Sequence, residues 1–583
     1  MKQLKYIIAI TILFTTFSCE KFFEYEPVSL FSNENIFANP DYTQQAILGI
    51  YQLMTRDEGY SKRLSMYYGV DTDIAKCSGE IDNGRRGIAK YAANSGNSEI
   101  ESPWRNLYIA IERANICIAN IPESPIYVTG SDEDKKSMDY LYGEAVALRA
   151  LFYFELIRSW GDVPFKTIPS KAGDDFNLPK TDRDSIYEYL INDLQVIQDK
   201  VPWRSELEPA ERFNKGAVKG LLARIALARA GYSLRITGGM QRGSDHLEYY
   251  RIARNECKEI MESGEHQLNP NYESIFKTMS ERRLDTEYGE IMLEIGMGAY
   301  TSGELGYYLG TSIHEDSKYG KCNPGVNALP NYFYSFKEGD SRRDVTIVTY
   351  EIDANNTFLI RDMADMNIAK WRREWLVPEQ PGTDKFTGIN WPILRYTDVV
   401  FMFAEAENEL NNGPSSAAID AVQSVLNRAY AKNPNKIPAI PTDYQGFFNM
   451  LVNERAWEFG GESIRKYDLI RWNLLDTKLK EMRAELTKMM NGESPYENVP
   501  RQLVWRSNGS KIEYLNYNSV MDSAQIADRD SIAWPNVTDW ANDLTEEYIL
   551  DIAANFEPNR KELLPIHQSV IDTNPNMKND YGY

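Results

Sequence analysis

The side chains able to do chemistry are supplied unevenly along this chain. Histidines number four, at 246, 266, 314 and 567, none near another, so a histidine-based metal or catalytic centre has little to assemble from. After Cys19, only Cys77, Cys117, Cys257 and Cys322 follow, with no C-x-x-C pair, which leaves no zinc or redox motif. Cys117 lies in an apolar helical stretch and reads as a buried thiol; sequence assigns no disulfide. Carboxylates are plentiful, so two could face each other across a cleft at ~5–10 Å, as glycoside hydrolysis requires. No hydrolase signature accompanies them, nor any G-x-S-x-G, H-E-x-x-H or P-loop motif. Asp71 and Asp73, or Asp353 near Asn355 and Asn356, offer hard oxygen ligands for a structural calcium, without EF-hand spacing. No metal or other cofactor is expected beyond that. Tyrosine is the residue in excess, with 37 Tyr beside 22 Phe and 11 Trp. A tyrosine ring couples a flat apolar face to a hydroxyl, which suits ligands whose C–H faces are ringed by hydroxyls, as in sugars. Most such rings still serve to pack helices.

One cysteine has a distinct setting. Lys2 and Lys5 precede an apolar run from Tyr6 to Phe14, and Ser18 stands directly before Cys19. The run is roughly half the ~20 residues that span a bilayer. A basic start, a short apolar run and a small residue before cysteine resemble a bacterial lipobox. Residues 1–18 are then a signal peptide, and Cys19 carries lipid and becomes the new N-terminus. Glu20, Glu24 and Glu26 follow closely. No other stretch is apolar and long enough to cross a membrane, so the expected attachment is through lipid chains. The formal net charge is -21; residues 1–18 hold two lysines and no acid, so removing them makes it -23. Such a surface argues against nucleic acid or an anionic bilayer face as partner.

The elements that must position these residues are mostly helices. Asn39-Pro40 signals a helix start, with the helix running through Met54. Others read at about 103–121, 134–160, 184–200, 214–231, 247–264, 393–411, 415–431 and 444–459. In 134–160, Leu141, Ala145, Leu148, Phe152 and Leu156 form one stripe, and Phe154, Ile157 and Trp160 predict burial on further faces. Short connections and small residues suggest tetratricopeptide-like helix pairs, without a regular 34-residue repeat. From about 270 to 392 the stripes fade and turn clusters appear at Gly296-Met-Gly298, Ser302-Gly303 and Asn323-Pro-Gly325. The stretch 490–545, with Asn491-Gly492 and Asn508-Gly509, reads the same way, as turns and short hairpins. The expectation is a mainly α fold in which residues 19–583 form a single domain. Its helical scaffold covers about 39–265 and 393–480, and its loop-rich insertions about 270–392 and 490–545.

Specific blocks carry a further resemblance. Trp104-Arg-Asn-Leu-Tyr108 leads to Ala114-Asn115; Glu144-Ala-Val-Ala-Leu-Arg-Ala150 continues to Trp160-Gly-Asp-Val-Pro-Phe165. Lys215-Gly-Ala217, Arg395-Tyr396, Asn453-Glu-Arg455, Glu458-Phe459, Gly461-Glu462 and Asp468-Leu-Ile-Arg471-Trp472 follow in order. Leu563-Leu-Pro-Ile566 and Asn579-Asp-Tyr-Gly-Tyr583 close the series. In this order, behind a lipobox, they resemble the SusD/RagB family along nearly the whole mature chain. The blocks also have a structural reading, in which Glu144, Arg149, Arg395, Glu405, Glu458, Arg465 and Asp468 pair across packed helices.

The resemblance implies a non-enzymatic glycan-binding lipoprotein facing outward from the cell outer membrane, with a SusC-type TonB-dependent transporter as partner. The RagB branch keeps the partner and takes peptides instead. It further implies ligand contacts from the segment after the first helix and from the central insertion. In the first segment Tyr67 and Tyr91 would stack on a ring, and Asp71, Asp73, Asn83 and Arg85 supply hydrogen-bonding groups. In the insertion Tyr300, Tyr307, Tyr308, Trp371 and Trp375 are the candidate platforms.

Overall fold

The computed structural model describes residues 33–207, 211–507, 511–529 and 534–583. Cys19 and the segment before it lie outside them, as does the Asn508-Gly509 turn. Among the described residues ten long helices carry the fold. They are α1 (Pro40–Met54), α2 (Ser98–Asn120), α3 (Asp132–Trp160), α4 (Arg183–Ile197) and α5 (Lys215–Ala230). Then come α6 (His246–Ser263), α7 (Tyr396–Asn411), α8 (Ser416–Ala429), α9 (Tyr444–Phe459) and α10 (Leu475–Asn491). Successive helices pack as neighbours, α2 on α3, α3 on α4, α4 on α5, α5 on α6, with α7 against α6, α8 and α9. The fold is mainly α, as read from the periodicity.

Local signals explain the starts. The Asn39 side chain accepts the Asp41 N–H ahead of Pro40, and Asn97 accepts the Glu99 N–H. The second cap starts α2 five residues before Pro103, where the sequence reading began it; the proline sits inside the helix. Ser131 and Asp134 form a capping box on α3. Its stripe residues and also Phe154, Ile157 and Trp160 are all buried, because α1, α2 and α4 pack around it.

Of the ten long helices one lies outside those the sequence announces, and the nine-residue helix Tyr272–Ser280 falls in the stretch expected to be loop-rich. Residues 475–491 form α10, although Leu475, Leu479, Met482, Leu486 and Met489 make a plain helical stripe, all buried. Asn491-Gly492, expected as a hairpin turn, instead ends this helix, with Gly492 at φ +70 as a left-handed cap.

The strands are short. They include β1 (Ala75–Cys77), β2 (Ile291–Ile295), β3 (Val326–Ala328), β4 (Ile347–Val348), β5 (Asn367–Ile368) and β6 (Trp391–Arg395). Strands β1, β3, β5 and β4 form one antiparallel sheet in that order, with Ala75 opposite Ala328 and Cys77 opposite Val326. Strand β6 pairs with β2. Around 502–539 a further strand, β7 (Gln502–Ser507), is flanked by β8 (Ile512–Tyr514) and β9 (Asn536–Asp539).

Charges wire these layers together. Arg395, at the end of β6, bonds Glu290 at 3.0 Å, Glu458 at 3.0 Å and Glu462 at 2.8 Å. Arg428 on α8 bonds Glu290 and Glu458, each at 2.7 Å, and Arg342 bonds Asp340 at 2.7 Å and Glu454 at 2.9 Å. Burial opposes the Glu458 charge, but Arg428, Arg395 and Arg342 outweigh it and hold its carboxyl at about 2. Arg149 pairs with Asp193, Arg465 with Asp73, Arg471 with Glu405, and Arg212 with Glu144. Residues far along the chain also return to the first helices. The Trp160 indole donates to the Pro565 carbonyl at 3.1 Å, Arg183 to the Tyr581 hydroxyl at 2.7 Å, and Lys180 pairs with Asp580 at 2.7 Å.

Candidate ligand-binding surface

Three segments distant in sequence meet beyond the Cys77 end of β1. The first is the five-residue π-turn Arg63–Tyr67, an element often found at functional sites. The second is the loop after β1 with the short helix Arg85–Ala89. The third is the helical turn Leu305–Tyr308 with the loop 322–325 that feeds β3.

Asp82 sets the geometry of the second segment. Its Oδ1 accepts the N–H groups of Gly84 and Arg86, each at 3.0 Å, and its Oδ2 takes the Arg86 guanidinium at 3.0 Å. Arg86 also donates to the Ser78 carbonyl at 2.9 Å. Its neighbour Arg85 is treated differently. The Arg85 guanidinium lies 5.4 Å from the Tyr67 ring centre and 5.5 Å from that of Tyr308. Among the described residues no carboxylate comes within 4.0 Å of it. Burial works against its charge, but Tyr67, Tyr308, Glu99 and Asp82 more than offset this and raise its pKa.

The rings form a small platform. Tyr307 meets Tyr308 edge-on at 4.9 Å, and Lys62 lies 5.1 Å over the Tyr308 ring. Lys62 is held by Asp57 at 3.0 Å and Glu304 at 3.5 Å, and Glu304 also takes Lys385 at 3.0 Å. Tyr67 is buried beneath Arg85, and burial pushes its hydroxyl well above the usual range, so it stays a protonated donor. Gly325 lets the 322–325 loop pass close by, since a Cβ there would stand 3.1 Å from the Tyr67 hydroxyl. Asn83 and Asn323 are exposed.

Of the residues read from sequence, the fold therefore brings Tyr67, Asn83, Arg85 and Tyr307 together, with Tyr308. Tyr300 is 60% exposed, at φ +62, on the loop that leads to the Leu305–Tyr308 turn. The others serve the interior. Asp71 is fully buried and accepts the N–H groups of Cys77 at 2.7 Å and Ala553 at 2.9 Å, and burial pushes its carboxyl up to about 6. Asp73 is paired with Arg465 at 2.6 Å. The Tyr91 hydroxyl donates to the Asp71 carbonyl at 2.9 Å, and its ring lies under Lys466. Trp371 is fully buried and stacks on Trp391 at 4.9 Å, and Trp375 is half-buried under the Arg372 guanidinium. Asp353 closes a turn by accepting the N–H groups of Asn355 and Thr357. Among the described residues no three His, Cys, Asp or Glu side chains group so as to hold a metal ion. The four cysteines in them are buried and free. Nothing in the local sequence marks Lys62, Glu304 and Lys385; only the fold brings them to Tyr308.

Comparison with known proteins agrees with this architecture. A family profile described as the SusD family matches residues 331–583, and a second, described as starch-binding associating with outer membrane, matches residues 40–227. SusD-like protein P25 of Formosa agariphila is 25% identical over 519 residues, covering 82% of this chain and 91% of that protein. A solved SusD homolog from Bacteroides thetaiotaomicron superposes with a TM-score of 0.76 at 24% identity, covering 94% of this chain and 98% of the other. A solved structure described as a laminarin-binding SusD-like protein superposes with a TM-score of 0.58 at 21% identity, covering 76% and 94%. With the two profiles together spanning well over half of the sequence, this chain belongs to the SusD/RagB family.

Proposed function

We propose that this protein is a glycan-binding lipoprotein of the cell outer membrane that captures oligosaccharide outside the cell and passes it to a SusC-type TonB-dependent transporter. One observation carries the reading: the Arg85 guanidinium lies against two tyrosine rings, and among the described residues no carboxylate comes within 4.0 Å to occupy it. Its N–H donors suit sugar hydroxyls, and Tyr307 beside them suits a sugar's C–H face. The laminarin-binding relative and the starch-binding description of the family support the ligand class. That same description supports the outer-membrane location, and no helix among the described residues is long and apolar enough to cross a membrane. Anchoring would be through Cys19.

The mechanism is capture followed by delivery. A shallow site holds one segment of a polymer weakly, and many anchored copies on one surface raise the apparent affinity. No catalytic step is invoked, since the family is one of binding proteins. The test is to titrate the purified protein against plant, host and microbial glycans while assaying for released fragments. Binding without cleavage is the expected result; released oligosaccharide, or binding of peptides alone, overturns it. For delivery, a disulfide locking this protein onto its transporter should abolish uptake, and unchanged uptake would refute that step.

A further inference from the structure

A second cleft opens near the other end of β1. A cavity of about 530 Å³ is bounded by α9, by the short helix Pro330–Ser335 and by residues 495–499. Its volume falls within the ~300–1,000 Å³ typical of small-ligand sites. Tyr334, Trp457 and Tyr496 line it, together with Asn331, Asn453 and Asn498. It adjoins another cavity of about 550 Å³, with Lys337 and Asn518 lining both; that neighbour is lined by charged groups, among them Glu338, Asp340, Arg343 and Asp344, so a weakly charged lining belongs to the first cavity alone.

The polar groups in it are under-used. Asn331 donates its amide N–H to the Asp73 carbonyl at 3.2 Å, while its Oδ1 is buried and has no hydrogen-bond partner among the described residues. A buried acceptor left in that state is destabilising, so a small shift of the Asn331 amide toward a donor in the cavity would be favourable. Asn453 and Asn498 are exposed, and among the described residues their side-chain amides meet no partner. An amide offers an acceptor and two donors side by side, which matches a pair of adjacent hydroxyls. The charges contribute little, because Arg465 is neutralised by Asp73 at 2.6 Å and only Lys337 lacks a salt-bridge partner among the described residues. Rings, free amides and little net charge select a neutral, hydroxyl-rich ligand.

We propose that this cleft is a second carbohydrate site, which takes a short segment of neutral oligosaccharide independently of the Arg85 surface. Its ligand class rests on the glycan reading above; its location does not. The two sites share no lining residue, so each can be emptied by mutation without touching the other.

The experiment is calorimetric titration of the purified protein with maltoheptaose, laminarihexaose and xyloglucan heptasaccharide. Three versions are compared: the unaltered chain, Arg85→Ala, and the double variant Asn453→Ala/Asn498→Ala, each checked by thermal melting. Asn453 and Asn498 are exposed, so the double variant should melt as the parent does. The unaltered chain should show two binding events for at least one sugar. The double variant should weaken one of them tenfold or more, and Arg85→Ala should leave that event in place. A change in tryptophan emission on saturating Arg85→Ala should accompany it, since Trp457 lines the cleft. Unchanged affinity in the double variant overturns the second site and leaves the first intact. Loss in the double variant with no loss in Arg85→Ala supports the second site and overturns the first. Failure of all three sugars to bind any version overturns both, and saturation of the cleft by tryptic casein peptides alone overturns its ligand class.

Discussion

Arg395 and Arg85 use the same side chain in opposite ways. Arg395 is buried and engages three carboxylates, while Arg85 lies between two rings and engages none within 4.0 Å among the described residues. A buried guanidinium must be paired, because desolvating an unpaired charge costs several kcal/mol. Cation–π contacts at a half-buried site supply only ~0.5–2 kcal/mol and use none of the N–H donors. The first arrangement is complete without a ligand; the second has capacity left over. In this fold an arginine therefore says little about function until its partners are known.

The comparison can be broken most severely at Glu458, which holds both Arg395 and Arg428. Glu458→Ala leaves these arginines under-compensated and should cost about 3–5 kcal/mol, read as a fall in the denaturation midpoint. A loss below about 1 kcal/mol would mean that the cluster is not what joins α9 to β6.

Acid should act on the same group. The folded carboxyl at about 2 lies below the ordinary 4.5, so its stabilisation is present above about pH 4.5 and is lost as pH falls towards 2. The stability gap between the parent and Glu458→Gln should close by about 3 kcal/mol across that window. A constant gap would reject the assignment.

Changes at Arg85 should spare stability and reach binding. Arg85→Ala should weaken oligosaccharide binding at that surface about 10–100-fold, the ~1.4–2.7 kcal/mol expected of hydrogen bonds from a charged donor. Its thermal midpoint should match the parent's, and a large drop would place Arg85 with the structural arginines. The smallest effect belongs to Tyr307→Ala. Removing one stacking face should weaken binding about 3–10-fold, with the melt unchanged.

What could be read from sequence follows the same division. Helices with stripes and caps were legible, since period and capping are local; α10 and the nine-residue helix Tyr272–Ser280 were not, each lying beside or within a region whose composition reads as turns. Of the candidate site residues read from sequence, Tyr67, Asn83, Arg85 and Tyr307 come together on one surface, while Asp71, Tyr91 and Trp371 are buried. A polar, ring-rich segment looks alike whether it faces water or wraps a core. Asp71 shows why: its partners include the Ala553 N–H, hundreds of residues away, and no local signal announces that contact. Lys62 and Glu304 become neighbours only once the π-turn and the insertion are packed together.

The return of residues 563–583 to the first helices bears on how the chain reaches this state. Trp160 and Pro565, Arg183 and Tyr581, and Lys180 and Asp580 are separated by 405, 398 and 400 residues. Loops that long must close before those bonds form, so the N-terminal helices stay unfastened while the rest of the chain is being delivered. Folding to completion is thus a late event, set by the arrival of the distal segment rather than by the helices that are made first.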